Sequence, residues 1–134
     1  MANASDYLEQ QIFNHIFRGP TFAKPASVFI GLTKDVPLDD GTYNEIDGAA
    51  YARYANASGD AVWSVHTDTA SNDIDFEFPQ AGGDWGEVSG VIITDSATPG
   101  GGNVLLHGEL TVTKNVQSGD TFKFAAGDLD VTIA

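Results

Sequence analysis

Residues 88–113 read VSGVIITDSATPGGGNVLLHGELTVT, two apolar runs on either side of a turn rich in glycine. The first run, residues 88–95, is rich in β-branched residues and predicts a buried strand. The second run, residues 103–113, carries five valines and leucines and predicts another strand. Because a strand rather than a helix follows the glycines at residues 100–102, they predict a hairpin loop and not a phosphate-binding loop.

Further short β segments lie outward from this pair, separated by turns of Gly, Pro, Asp and Ser. About eight short strands with this spacing predict a mainly β chain, an antiparallel β-sandwich rather than a βαβ fold. The long acidic connection at residues 34–50 is either a contact loop or a disordered one. The other predicted strands are residues 26–33, 51–55, 61–65, 74–78, 121–124 and 129–133.

One helix is predicted at residues 5–18, ahead of the sandwich at residues 26–134. Asn3 or Ser5 can cap its start, and the Gly-Pro pair at residues 19–20 ends it. Its apolar residues form a stripe that we expect to pack on one face of the sandwich, or else to be an exposed docking element. The stripe consists of Tyr7, Leu8, Ile12, Phe13, Ile16 and Phe17.

The composition excludes several classes of protein. The chain has 134 residues, a formal charge of −13 and no cysteine, which fits one domain, residues 1–134, without disulfides or thiolate metal sites. An acidic chain is a poor partner for nucleic acid or an anionic membrane, because both require clustered basic residues. The sequence also lacks a signal-peptide pattern, so we expect synthesis in a cytoplasm.

No residue pattern indicates catalysis. His15, His66 and His107 lack the short spacing of metal ligands, and no G-x-S-x-G motif occurs. We therefore expect no enzyme activity, no cofactor and no metal site. The carboxylates of residues 34–50 are interpreted as a solvated surface, with adventitious binding of a divalent cation left open. Trp63 and Trp85 are interpreted as structural rather than sugar-stacking residues.

Several short motifs occur in a characteristic order along nearly the whole chain. They are YLE at residues 7–9, HIFRG at 15–19, VFIGL at 28–32, YAR at 51–53, DWG at 84–86, GNVLL at 102–106 and FAAGDL at 124–129. In this order the sequence resembles a family of small virion structural proteins of tailed bacteriophages, described as tail-fibre or head-decoration-like. The resemblance brings no catalytic residues.

The resemblance implies a non-enzymatic virion protein, synthesised in the bacterial host cytoplasm. The first hypothesis is a capsid decoration or cement protein that bridges and stabilises major capsid subunits. The alternatives are a tail-fibre or tail-tip module, and a carbohydrate-binding sandwich that uses Trp63, Trp85 and Tyr43. We expect a homo-oligomer, a dimer or trimer, which contacts the major capsid protein or tail proteins. The interface candidates are Tyr7, Phe13, Phe17, Leu38, Tyr43 and Ile46.

Overall fold

Nine strands and one helix build the chain in the computed structural model, which describes residues 2–133. The prediction of a mainly β, sandwich-like fold with one N-terminal helix is confirmed. In chain order the elements are β1 (Ala2–Ala4), α1 (Asp6–Phe17), β2 (Phe29–Thr33), β3 (Trp63–His66), β4 (Thr69–Asn72), β5 (Phe76–Glu77), β6 (Gly86–Thr94), β7 (Val104–Val116), β8 (Lys123–Phe124) and β9 (Asp130–Thr132).

Seven strands form one curled sheet in the order β2-β6-β7-β1-β9-β4-β3, and β5 and β8 form a small second sheet. The two runs that flank the glycine turn form the two longest strands of the large sheet, β6 and β7, which pair antiparallel as predicted. The sheet is mixed rather than wholly antiparallel, because β1 and β9 run parallel, with Ala2 opposite Val131. The N-terminal and C-terminal strands thus lie side by side.

The structure differs from the predicted strands at three places, one of which is β1 (Ala2–Ala4), a strand that was not predicted. Residues 51–55 form no strand and contribute only an isolated bridge between Tyr54 and Ile30. In contrast, β4 (Thr69–Asn72) is a strand that the sequence analysis did not predict, because its polar sequence TASN has no alternation of apolar residues. Its buried Asn72 is held by the segment before β9, where the side-chain oxygen accepts from the backbone N–H of Leu129 at 2.9 Å.

An aromatic cluster fills the space between the two sheets. Phe76 and Phe78 point inward while Glu77 between them is exposed, as the period-two pattern of residues 74–78 predicts. Phe122 and Phe124 meet them from the neighbourhood of β8. The rings of Phe122 and Phe124 lie 5.1 Å apart, and those of Phe78 and Phe122 lie 5.7 Å apart, both edge to face. Edge-to-face pairs of this kind add stability beyond the buried area.

The helix rests on the large sheet through its first turns only. Ser5 caps it by accepting from the backbone N–H of Leu8, and Leu8 is its buried residue, in contact with Ala4 and Leu105. The expectation that the whole stripe packs on the sandwich is wrong. Since each residue turns the helix by about 100°, Phe13 and Phe17 point away from the side that carries Leu8.

Candidate functional site

Residues 34–50 are a contact loop within the chain itself. The loop folds back along β2, where the Lys34 N–H donates to the Asn44 carbonyl at 2.8 Å and the Ile46 N–H donates to the Leu32 carbonyl at 3.0 Å. Ile46 is 1% exposed and belongs to the core. These contacts give the loop one defined path.

A buried ion pair fastens this loop to the end of the sheet. The Arg53 guanidinium binds the Glu45 carboxylate through two parallel hydrogen bonds, of 2.8 and 2.7 Å, and the two side chains are 0% and 6% exposed. Arg53 also donates to the Thr94 hydroxyl and to the carbonyls of Ser96 and Gly101. We call this cluster, with Tyr43 and Tyr51, the Arg53 clasp.

Tyr43 and Tyr51 complete the hydrogen bonding of the clasp. Arg53 donates to the Tyr43 hydroxyl at 3.2 Å, and Tyr51 donates to Glu45 at 2.6 Å. Burial and the bond to Glu45 raise the pKa of Tyr51 far above its usual range. Burial disfavours the Arg53 cation, but its bonds to Glu45 outweigh this effect and raise its pKa. Tyr51 is therefore a neutral phenol and Arg53 a cation at neutral pH.

The other carboxylates of the loop each have a separate partner. Asp47 pairs with Lys34 at 2.9 Å, and Asp39 contacts the ring of His107 at 2.6 Å. The bond to Lys34 lowers the pKa of Asp47. Asp35 and Asp40 accept from the Asn44 amide and the Thr42 N–H. Within residues 2–133 no three His, Asp or Glu side chains gather at a point where they could hold a metal ion.

Both tryptophans contact the chain's own loops. Trp85 is 4% exposed, donates to the Ala49 carbonyl at 2.9 Å and meets Tyr51 edge to face. Trp63 is half-buried, donates to the Ala57 carbonyl and packs on an aromatic core residue. A sugar-stacking platform needs an open ring face, which Trp85 does not offer. This geometry favours the structural interpretation of both residues.

The last turns of α1 present an exposed apolar face. Phe13, Ile16 and Phe17 are 62%, 62% and 75% exposed. The two phenylalanine rings stack on each other with centroids 6.2 Å apart. We call these three residues the α1 face. The helix has twelve residues, and no helix in the described part of the chain is long and apolar enough to cross a membrane.

The six interface candidates fall into different environments. Phe13 and Phe17 belong to the α1 face, and Leu38 is 55% exposed on the loop. Tyr7 is half-buried against the core cluster around Leu8, and Tyr43 is half-buried in the Arg53 clasp. Ile46 lies inside the core, where its side chain packs within the chain. Of the six candidates, Phe13, Phe17 and Leu38 are therefore the exposed ones that a partner could cover.

The sequence analysis did not predict the Arg53 clasp. The sequence does mark Arg53 as unusual, because it is one of only six basic residues and stands between two tyrosines. Sequence alone could not pair it with Glu45, eight residues earlier, or with the backbone carbonyls of the loop at residues 96–101.

The polar groups of the Arg53 clasp form their hydrogen bonds within the chain. The exposed α1 face, in contrast, is apolar. The family model described as "Podophage GP4 fiber I protein gp80" matches residues 3–132, and the chain belongs to this family. No curated protein matches the chain.

The family match confirms the resemblance to small structural proteins of tailed-phage virions. The family is described as a fibre protein, so the match favours the tail-fibre alternative over the capsid-decoration hypothesis.

Proposed function

We propose that this chain is a non-enzymatic structural subunit of the tail fibre of a bacteriophage virion, synthesised in the bacterial host cytoplasm. The observation that carries the proposal is the match of 130 consecutive positions, residues 3–132, to a fibre family. The structure adds physical support, since the described loops are fastened by internal ion pairs and aromatic contacts. Loops fixed in this way suit a protein that holds its neighbours in position rather than an enzyme that must admit and release a substrate.

The proposed partners are further copies of the chain, as a dimer or trimer, and neighbouring tail proteins. The α1 face supports this part of the proposal, because two phenylalanines and an isoleucine in contact with water favour burial against another protein. Leu38 and the neighbouring Val36, which is 45% exposed, extend the apolar area on the loop. A partner that covers either area would remove apolar surface from water.

Immunogold electron microscopy of the phage that encodes the chain tests the proposal. An antibody raised against the purified chain should label the tail, and the same antibody pre-absorbed with the chain should label nothing. Quantitative mass spectrometry of purified particles should find a handful of copies per virion. Label spread over the head with hundreds of copies would establish capsid decoration instead. Particles without the chain would refute a virion role.

A further inference from the structure

The large sheet ends in two edge strands, β2 and β3, which are treated differently by the rest of the chain. At the β2 edge, Ile30 exchanges two backbone hydrogen bonds with Tyr54, and the Ile46 N–H donates to the Leu32 carbonyl. At the other edge, β3 pairs with β4 on one side, and no strand of residues 2–133 lies on its other side. An uncovered edge of this kind is a template for a further strand.

The hydrogen bonds around β4 identify which backbone groups of β3 are free. Asn72 donates its N–H to the Leu129 carbonyl and its carbonyl accepts from the Gly127 N–H, so both groups point away from β3. Trp63 is opposite Asn72 in the register. Because hydrogen-bonded and non-hydrogen-bonded pairs alternate along antiparallel strands, Trp63 and Val65 direct their N–H and C=O groups to the open edge. Neither N–H has a partner within residues 2–133.

The core face of β3 is apolar up to the open edge. Trp63 packs edge to face on the core residue Phe76. Val65 lies in one row of the sheet with Ala70 and Val131, and Val131 is part of the core, yet Val65 is 72% exposed. A strand added at this edge places a side chain beside Trp63 and another beside Val65. Aromatic and β-branched residues form favourable pairs across neighbouring strands, so apolar side chains fit these two positions.

The outer face of the same edge is polar and negatively charged. The Ser64 hydroxyl donates to the Asp73 carboxylate, with its oxygen 2.7 and 2.8 Å from the two carboxylate oxygens. On β4, the Ser71 hydroxyl donates to the Asp130 carboxylate. Neither carboxylate forms an ion pair in the described part of the chain, and residues 54–113 contain no Lys or Arg. A strand that arrives here therefore meets negative charge that the chain itself leaves without a cation.

We propose that β3 is a docking edge for an extended segment of a neighbouring virion protein, in which apolar residues alternate with lysine or arginine. The backbone of that segment pairs with Trp63 and Val65, as in other cases of strand addition. Its apolar side chains continue the core face, and its basic side chains face Asp73 and Asp130. A second copy is a poorer occupant, because its edge carries the same carboxylates and like charges across neighbouring strands repel. The inference rests on the proposed role as a structural subunit of a virion.

Peptide binding tests the docking edge. The probe is an acetylated and amidated six-residue peptide that alternates lysine with valine, and the change in tryptophan emission of the full chain measures its Kd. Because directly opposite residues of paired strands point to the same face, the valines lie opposite Trp63 and Val65 and donate their N–H groups to β3. N-methylation of the valines should therefore weaken binding by about 10-fold or more, whereas N-methylation of the lysines should leave the Kd within about 3-fold.

The two methylated peptides have the same charge and composition, so their difference isolates backbone pairing from electrostatic attraction. A peptide that alternates glutamate with valine tests the charge preference, and it should bind at least about 10-fold more weakly than the lysine peptide. The experiment is independent of the antibody labelling. The peptide can fail to bind a protein that belongs to the tail, and it can bind a protein that does not.

Two variants of Val65 test the edge from the side of the protein. Val65→Pro removes an N–H that faces solvent, a position at which an edge strand tolerates proline, and should weaken binding of the lysine peptide by about 10-fold or more. Val65→Thr is the matched control, because it keeps the N–H and a β-branched side chain. Its Kd should stay within about 3-fold of that of the wild type. Far-ultraviolet circular dichroism of both variants checks that the fold is retained.

Hydrogen exchange of the wild-type chain provides a measurement that needs no variant. The N–H groups of Trp63 and Val65 should exchange rapidly in the free chain and slowly with the lysine peptide bound. The N–H groups of Ser64 and His66, which face β4, should be protected in both states. These four positions alternate along one strand, so only pairing at the open edge gives this pattern.

Several results would overturn the proposal. They are the absence of binding at about 1 mM lysine peptide, equal Kd values for the two methylated peptides, a glutamate peptide that binds as tightly as the lysine peptide, or slow exchange of the Val65 N–H in the free chain. A wild-type dimer that Val65→Pro converts to a monomer would assign the edge to a second copy of the chain instead.

Discussion

The Arg53 clasp should be a principal support of the fold, and Arg53→Met tests this directly. The substitution keeps much of the apolar stem and removes the guanidinium. Six hydrogen bonds are lost, and the carboxylate of Glu45, which is 6% exposed, remains buried without its cation. A buried charge without a partner is strongly destabilising, because neither water nor an opposite charge compensates for its desolvation.

The magnitude follows from this desolvation. Removal of one member of a buried ion pair costs about 3–5 kcal/mol. A chain of this length has an unfolding entropy of about 0.28 kcal/mol/K, so the melting temperature should fall by about 11–18 °C. Differential scanning calorimetry or thermal circular dichroism measures this shift. The loops around residues 43–51 and 96–101 should also gain sensitivity to proteolysis, since Arg53 connects them.

Two further variants separate the buried charge from other causes. Lys34→Met makes the same kind of substitution at the Lys34–Asp47 pair, whose side chains are 44% and 81% exposed, and should lower the melting temperature by a few degrees at most. Arg53→Met combined with Glu45→Gln removes both charges and should melt above Arg53→Met alone. If Arg53→Met melts within a few degrees of the wild type, as Lys34→Met should, the clasp is not a principal support.

Three other variants test separate parts of the structure. Gly48→Ala places a Cβ 2.3 Å from Cδ1 of Trp85 and should destabilise the chain by about 1–3 kcal/mol in urea unfolding, whereas an unchanged midpoint would contradict the close packing. Because the pKa of Tyr51 is raised in the folded chain, its phenol loses its proton in the unfolded state alone as the pH rises above the ordinary value of 10.0. The free energy of unfolding should therefore decline above that pH, and Tyr51→Phe should reduce the decline in denaturant titrations. Leu8→Ala should cost about 2–5 kcal/mol and Phe13→Ala less than about 0.5 kcal/mol, and the reverse order would place the other side of the helix against the sheet.

The sequence by itself determined those features that depend on neighbours in the chain. The helix, with a cap at Asn3 or Ser5, followed from spacing and capping chemistry, and β6 and β7 followed from two apolar runs around a glycine turn. The inward-facing Phe76 and Phe78 followed from period-two alternation. Each of these signals lies within a few residues, where backbone geometry fixes which side chains share a face. The order of motifs also pointed to the phage family that the family model confirms.

Only the tertiary structure decided which surfaces meet. The apolar stripe of α1 predicted a buried face, but the sheet beneath the helix covers Leu8 and leaves Phe13 and Phe17 exposed. A strand of polar residues, β4, forms because β9 provides hydrogen-bond partners that lie about 60 residues away along the chain. The Arg53 clasp likewise joins groups from three separate segments. Contacts between distant segments depend on how the chain closes in space, and local periodicity carries no information about that closure.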